Sequence, residues 1–203
     1  MNYIKNIIFD LGGVLIDWNP HYMYKKIIPD DTERNWFIDN ICTLDWNEKQ
    51  DAGRTIKEAV DELILIYPEH KENIILYYDR WEEMLNGPIN GTVNIFKRIK
   101  ENKEFKTYAL TNWSAETFPR ALQLYNFLHW FDGRVVSGEE KTRKPHKEIY
   151  DIILTRFSLL PEETIFIDDN LRNIKAAEEV GIKSIHFTSP ESLNLELIKL
   201  NIL

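Results

Sequence analysis

Apolar residues fill positions 7 to 9 and polar Asp10 closes the run, so residues 4–9 predict a buried strand followed by a tight loop at Gly12-Gly13. From about residue 21 to 85 the spacing changes. Trp36, Phe37 and Ile41, then Ala59, Leu63 and Ile66, then Ile74, Tyr78, Trp81 and Leu85 recur every three or four positions. This spacing predicts several short helices and no strand. Beyond the break at Asn86-Gly87-Pro88 the pattern alternates: helix over 92–100, strand over 107–110, helix over 115–125, strand over 133–136. A helix over 147–157, a strand over 164–167, a helix over 171–180, a strand over 182–187 and a closing helix from Pro190 complete it.

Strands and helices in alternation imply right-handed crossovers, hence an α/β fold with a parallel sheet covered on both faces. The helical block interrupts that sheet after its first strand. Open sheets of this kind place ligands at the carboxyl ends of their strands. Three strand ends carry polar residues in apolar surroundings: Asp10, Thr111-Asn112 and Asp168-Asp169. All three should open onto one rim.

Composition narrows the possible partners. With 25 Lys and Arg against 33 Asp and Glu the net charge is −8, which disfavours nucleic acid and anionic membranes. An anionic substrate therefore needs local positive charge from a metal, a specific Lys or Arg, or helix N-termini. The apolar start is broken by Asp10 and followed by no small-residue cleavage pattern, so it does not read as a signal peptide, and no stretch is long enough to span a bilayer. A lone cysteine, Cys42, cannot form an intramolecular disulfide, and a cytoplasmic location is expected.

Three carboxylates on one rim would repel one another without a cation between them, and oxygen donors suit Mg²⁺. A strand-tip carboxylate can also attack phosphorus to give an aspartyl-phosphate. The Thr111 hydroxyl, nearby backbone N–H groups and a lysine could hold the phosphoryl oxygens, with Lys144 the first choice and Lys141 its rival. The five histidines lack metal-ligand spacing, and the serines lack a nucleophile elbow.

The strings FDLGGVL, LTN, RKP and FIDDNLRN resemble, in order and spacing, the four motifs of the haloacid dehalogenase-like hydrolases. Within that superfamily the chain most resembles helical-cap phosphatases acting on sugar phosphates such as glucose 1-phosphate. The resemblance implies a Rossmann-like three-layer core, residues 1–16 and 88–203, with an inserted α-helical cap, residues 17–87. It implies Asp10 as nucleophile and metal ligand, the Gly12 carbonyl as a second ligand, and Asp169 with Asp168, directly or through water, as the others. Thr111, the Asn112 amide and Lys144 match the phosphate-binding positions. Trp18, Asn19 and Arg54 lie where the cap would meet a small phosphorylated metabolite.

One position departs from the pattern. Most phosphatases of the family carry an acid two residues after the nucleophile, where this chain has Gly12. Three accounts stand: a weakly basic leaving group such as an anomeric oxygen, another acid, of which Asp17 is the nearest, or a member that does not turn over. The expected activity is Mg²⁺-dependent hydrolysis of a small phosphate ester, with a sugar 1-phosphate as the narrower expectation. A metal-independent haloacid dehalogenase and a silent binder of a phospho-ligand or protein partner are the alternatives.

Overall fold

The computed structural model describes residues 3–203, so the first two residues of the expected core segment lie outside it. The chain runs through β1 (Asn6–Phe9), β2 (Ile16–Trp18), α1 (Pro20–Tyr24), α2 (Asp31–Asn40), α3 (Leu44–Asp51), α4 (Ile56–Ile66) and α5 (Lys71–Asp79). It continues with β3 (Leu85–Pro88), α6 (Asn90–Glu101), β4 (Lys106–Thr111), α7 (Phe118–Leu124), β5 (Gly133–Val136) and α8 (Ser137–Glu140). The remaining elements are α9 (Lys147–Arg156), β6 (Thr164–Asp168), α10 (Leu171–Glu179), β7 (Lys183–His186) and α11 (Pro190–Lys199).

Five strands form one parallel sheet in the order β5-β4-β1-β6-β7, with β1 at its centre. Successive residues of a strand face opposite sides, which gives each central strand two apolar sets. Ile7, Phe9, Ala109, Ile165 and Ile167 pack on one side with Ile95, Phe96 and Ile99 of α6 and Leu193 and Leu197 of α11. Ile8, Tyr108, Leu110 and Phe166 pack on the other with Ile149, Tyr150 and Ile153 of α9 and Ile174 and Ala177 of α10. This is the helix–sheet–helix layering that uninterrupted strands such as Ile7-Ile8-Phe9 require.

Helices α1 to α5 bury a separate apolar cluster that includes Met23, Tyr24, Phe37, Trp46, Leu63 and Tyr77. Cys42 is buried there, and burial pushes its thiol up to about 12, so it stays protonated and unreactive. Thr55 and Glu58 close a capping box at the start of α4, the local device that ends the preceding turn at Gly53-Arg54.

Two local expectations are corrected. The stretch entering and leaving the helical unit is an antiparallel two-stranded ribbon of β2 and β3, with Ile16 opposite Pro88, rather than a loop and a break. Asn86, Gly87 and Pro88 are poor strand formers, but a short two-stranded ribbon has free edges that tolerate a Pro and a bulge. The helix expected over 115–125 begins only at Phe118, because Pro119 is accommodated in a first turn and not in a helix interior. No described helix is long and apolar enough to cross a membrane.

Candidate active site

The parallel register sets the tips of β1, β4 and β6 side by side: Phe9 lies opposite both Ala109 and Ile167. β1 ends there, and β4 and β6 end on Thr111 and Asp168, which brings Asp10, Thr111 and Asp168 to one rim. Ligand oxygens of Asp10, Asp168 and Asp169 lie within 4.8 Å of one another. Burial pushes the Asp10 carboxyl well above the ordinary carboxylate range, Lys144 opposes the shift, and Asp168 and Asp169 add to it. Asp169 is raised in the same direction, by burial and by Asp168.

Lys144 is completely buried and joins the two inner carboxylates, its Nζ 2.9 Å from Asp10 Oδ1 and 2.7 Å from Asp168 Oδ2. Burial disfavours its charge, yet the two carboxylates hold its pKa above the usual lysine value, so the ammonium is charged. Asn112 fixes the backbone that carries it: Asn112 Nδ2 donates to the Lys144 carbonyl and Lys144 N–H donates to Asn112 Oδ1, both at 2.9 Å. Lys141 takes no part in this network; it caps α8 with φ 56°, beside Gly53.

The two oxygens of Asp10 differ. Oδ1 accepts from Leu11 N–H at 2.7 Å and from Lys144, while Oδ2 accepts no hydrogen bond among the described residues. Both oxygens of Asp168 are occupied, by Lys144, by Asn170 N–H and by Asn173 Nδ2 at 3.1 Å to each. Thr111 Oγ1 is buried without any hydrogen-bond partner. At the strand tip beside Asp10 this unpaired hydroxyl is a donor available to a ligand, a water or an ion.

The loop glycines have separate reasons. Gly13 has φ +74°, and a Cβ there would stand 2.3 Å from Asp169 Oδ2. Gly13→Ala is therefore expected to lower stability by about 1 kcal/mol or more and to displace Asp169, readable as a lower melting temperature. A Cβ at Gly12 would meet nothing within 4 Å.

Above this rim lies a cavity of about 230 Å³. Asp10, Gly12, Gly13, Asn112 and Asp169 form its floor, and Trp18, Tyr77, Tyr78, Trp81, Met84 and Trp113 make most of its wall aromatic or apolar. Trp18 thus reaches the cavity, whereas Asn19 caps α1 by accepting from His21 N–H and lines a different depression. Arg54 is held inside the helical unit by Gln50, by the Trp46 carbonyl and by an ion pair with Glu62. Asp17 faces Tyr22 and Asn86 on the ribbon and does not line the cavity.

Two residues at the site were not singled out from the sequence. Asn173 ends the quoted string FIDDNLRN; its place in the first turn of a helix right after a strand-tip carboxylate is a signal that could have found it. Asp51, the last residue of α3, lines the cavity wall. Burial pushes its carboxyl up to about 7, Glu48 adds to the rise, and Arg143 and Lys144 oppose it. Nothing local in the sequence marks it.

The helical unit is fastened over the core by polar contacts. Glu48 pairs with Arg143 at 2.6 Å and with Arg172, Arg120 pairs with Glu82 at 2.9 Å, and Ile56 N–H donates to Glu116 at 2.7 Å.

Known proteins resemble this chain in sequence and fold. A sesquiterpene phosphatase of Aspergillus oryzae is 26% identical over 196 residues, spanning 97% of this chain and 96% of its own. A phosphorylated carbohydrates phosphatase of Thermotoga maritima is 24% identical over 192 residues, spanning 90% and 84%. Among solved structures, a HAD-family enzyme of Bacteroides thetaiotaomicron in complex with magnesium and inorganic phosphate superposes with a TM-score of 0.66 at 24% identity, covering 92% of this chain and 95% of that one. Residues 4–181 match the haloacid dehalogenase-like hydrolase family, and the chain belongs to it.

Proposed function

We propose that the protein is a Mg²⁺-dependent phosphatase that hydrolyses a small phosphate ester, a sugar 1-phosphate in the narrower reading, through an aspartyl-phosphate on Asp10. The observation that carries the reading is the polarised Asp10 carboxylate. Leu11 N–H and Lys144 hold Oδ1 and leave Oδ2 as the oxygen free to attack phosphorus. Lys144 orients Asp10 and puts a permanent positive charge beside the arriving phosphate. The unpaired Thr111 hydroxyl, with the Asn112 backbone N–H, supplies donors to its oxygens. Asp168, fixed by three donors, in turn fixes Lys144.

The donor set fits a hard cation: converging carboxylate oxygens, with no nitrogen or sulfur donor in the cluster. Asp10, Asp169 and the Gly12 carbonyl would hold Mg²⁺, with Asp168 behind them. When bound there, the ion supplies charge that offsets repulsion between the carboxylates and the phosphoryl oxygens. The Bacteroides neighbour's magnesium and phosphate support this choice. Three converging carboxylates favour phosphoryl transfer over metal-independent dehalogenation, and the polarised Asp10 favours turnover over silent binding.

Residues 17–87 act in this reading as a cap that excludes water from the cavity. The lone buried cysteine accords with a cytoplasmic location. Trp18 lines the cavity where the leaving group would lie, and the aromatic wall around it admits a second reading of the substrate, the phosphate of an apolar alcohol. Aromatic faces accept either the C–H face of a sugar or a hydrocarbon.

Phosphate release from sugar 1-phosphates, sugar 6-phosphates, an isoprenoid alkyl phosphate and an aryl phosphate, each with Mg²⁺ and with excess chelator, tests both levels. Turnover only with Mg²⁺ is expected, and full activity in chelator would refute the metal assignment. Preference for anomeric phosphates selects the sugar reading, and preference for the isoprenoid ester selects the apolar one.

A further inference from the structure

The geometry points to Asp51, contributed across the cavity by α3, as the general acid and base of the reaction, standing in for the carboxylate that Gly12 lacks. The inference rests on the phosphatase reading and adds a residue to it. Asp51 lines the same cavity as Asp10 and Gly12. Its carboxylate accepts no hydrogen bond and forms no ion pair among the described residues, although Gln50, Asn47 and Tyr78 beside it are linked to one another. A carboxyl group facing a cavity without a protein partner is free to meet a ligand.

The charged and titratable groups around it are Glu48 on its own helix, Arg143 and Lys144 from the core loop, Tyr77 and Tyr78 from α5, and Asp10 and Asp169 on the cavity floor. Burial, with Glu48 adding to the rise and Arg143 and Lys144 opposing it, brings Asp51 to about 7, where both protonation states are populated near neutral pH. Glu48 also ties α3 to Arg143 and Arg172 of the core, so the contact that holds Asp51 over the floor is the contact that closes the cap.

In the first step Asp10 Oδ2 bonds to phosphorus as the bond to the ester oxygen breaks, and the Asp51 proton passes to that oxygen to release the alcohol. In the second, the Asp51 carboxylate takes a proton from water while the water oxygen bonds to phosphorus. The bond to Asp10 breaks, which yields inorganic phosphate, the Asp10 carboxylate and a protonated Asp51. An alcohol of ordinary basicity can then leave, so an anomeric oxygen is no longer required by the absence of an acid at Gly12.

The test compares wild type, Asp51→Asn and the double variant Gly12→Asp/Asp51→Asn on an alkyl phosphate and on nitrophenyl phosphate, with rapid mixing. Asp51→Asn is expected to lower alkyl phosphate turnover roughly a hundredfold to ten-thousandfold. With nitrophenyl phosphate it should keep a burst of about one nitrophenolate per protein, because that leaving group needs no proton, and then turn over slowly. In wild type, single-turnover alkyl transfer should fall above about pH 7 and steady nitrophenyl turnover should fall below it, and both limbs should vanish in Asp51→Asn. The double variant should regain alkyl turnover at least tenfold, since the space at Gly12 admits a side chain. Unchanged pH limbs in Asp51→Asn, or a change in KM alone, would overturn the assignment. Failure of the phosphatase reading looks different: wild type would then show no burst and no turnover with any ester.

Discussion

Asp10→Asn is expected to remove phosphate release altogether, on the order of a 10⁴-fold loss or more, as when an activated nucleophile is deleted elsewhere. The amide keeps the size of the carboxylate. Its oxygen can still accept from Leu11 N–H, and the strand that carries it is anchored by Asp10 N–H to the Ile167 carbonyl at 2.8 Å. The fold should therefore survive, with an unchanged far-ultraviolet spectrum. What disappears is the anionic oxygen to which the phosphatase reading assigns the attack on phosphorus, so no acid-stable labelled protein should form from a radiolabelled phosphate ester. A retained burst from nitrophenyl phosphate in this variant would move the nucleophile to another residue. Asp51→Asn should keep the burst and slow only the turnover that follows it, so the two variants separate the two chemical steps.

The strand tips were the most legible part of the chain. Ile7-Ile8-Phe9 and Ile165-Phe166-Ile167 are short apolar runs that only a sheet covered on both faces can bury, and each ends on a carboxylate. Lys144 was legible from its motif, but its complete burial between Asp10 and Asp168 was not, because a basic residue before a proline looks like any solvated loop. Asp51 was hidden for a different reason. It belongs to a helix of low apolar character whose orientation is fixed by long-range pairs, Glu48 with Arg143 and Arg172, about a hundred residues distant in sequence. The ribbon of β2 and β3 escaped because Gly87 and Pro88 argue against a strand wherever tertiary context is ignored. Arg54 looked suited to an anionic substrate by charge, whereas Gln50, Trp46 and Glu62 had already engaged it.

Lys144→Met should cost both activity and stability. Methionine has a similar length and fits a site where the lysine is fully buried, yet it leaves Asp10 and Asp168 facing each other without a cation. Removing one partner from a buried charge network costs about 3–5 kcal/mol, because the remaining charges stay desolvated. Loss of the charge beside the transferring phosphoryl group should lower turnover by roughly 10²–10³-fold, the effect of deleting one stabilising donor. The pH dependence has a definite sign. The folded-state pKa of Lys144 is raised above its unfolded value, so its contribution is complete below the unfolded pKa of about 10.4 and is lost as pH rises through the folded pKa. The difference in melting temperature between wild type and Lys144→Met should thus stay constant from neutral pH to about pH 10 and shrink beyond it. A difference that is already small at neutral pH would mean that Lys144 does not hold the two carboxylates together, and the polarised Asp10 on which the phosphatase reading depends would lose its physical cause.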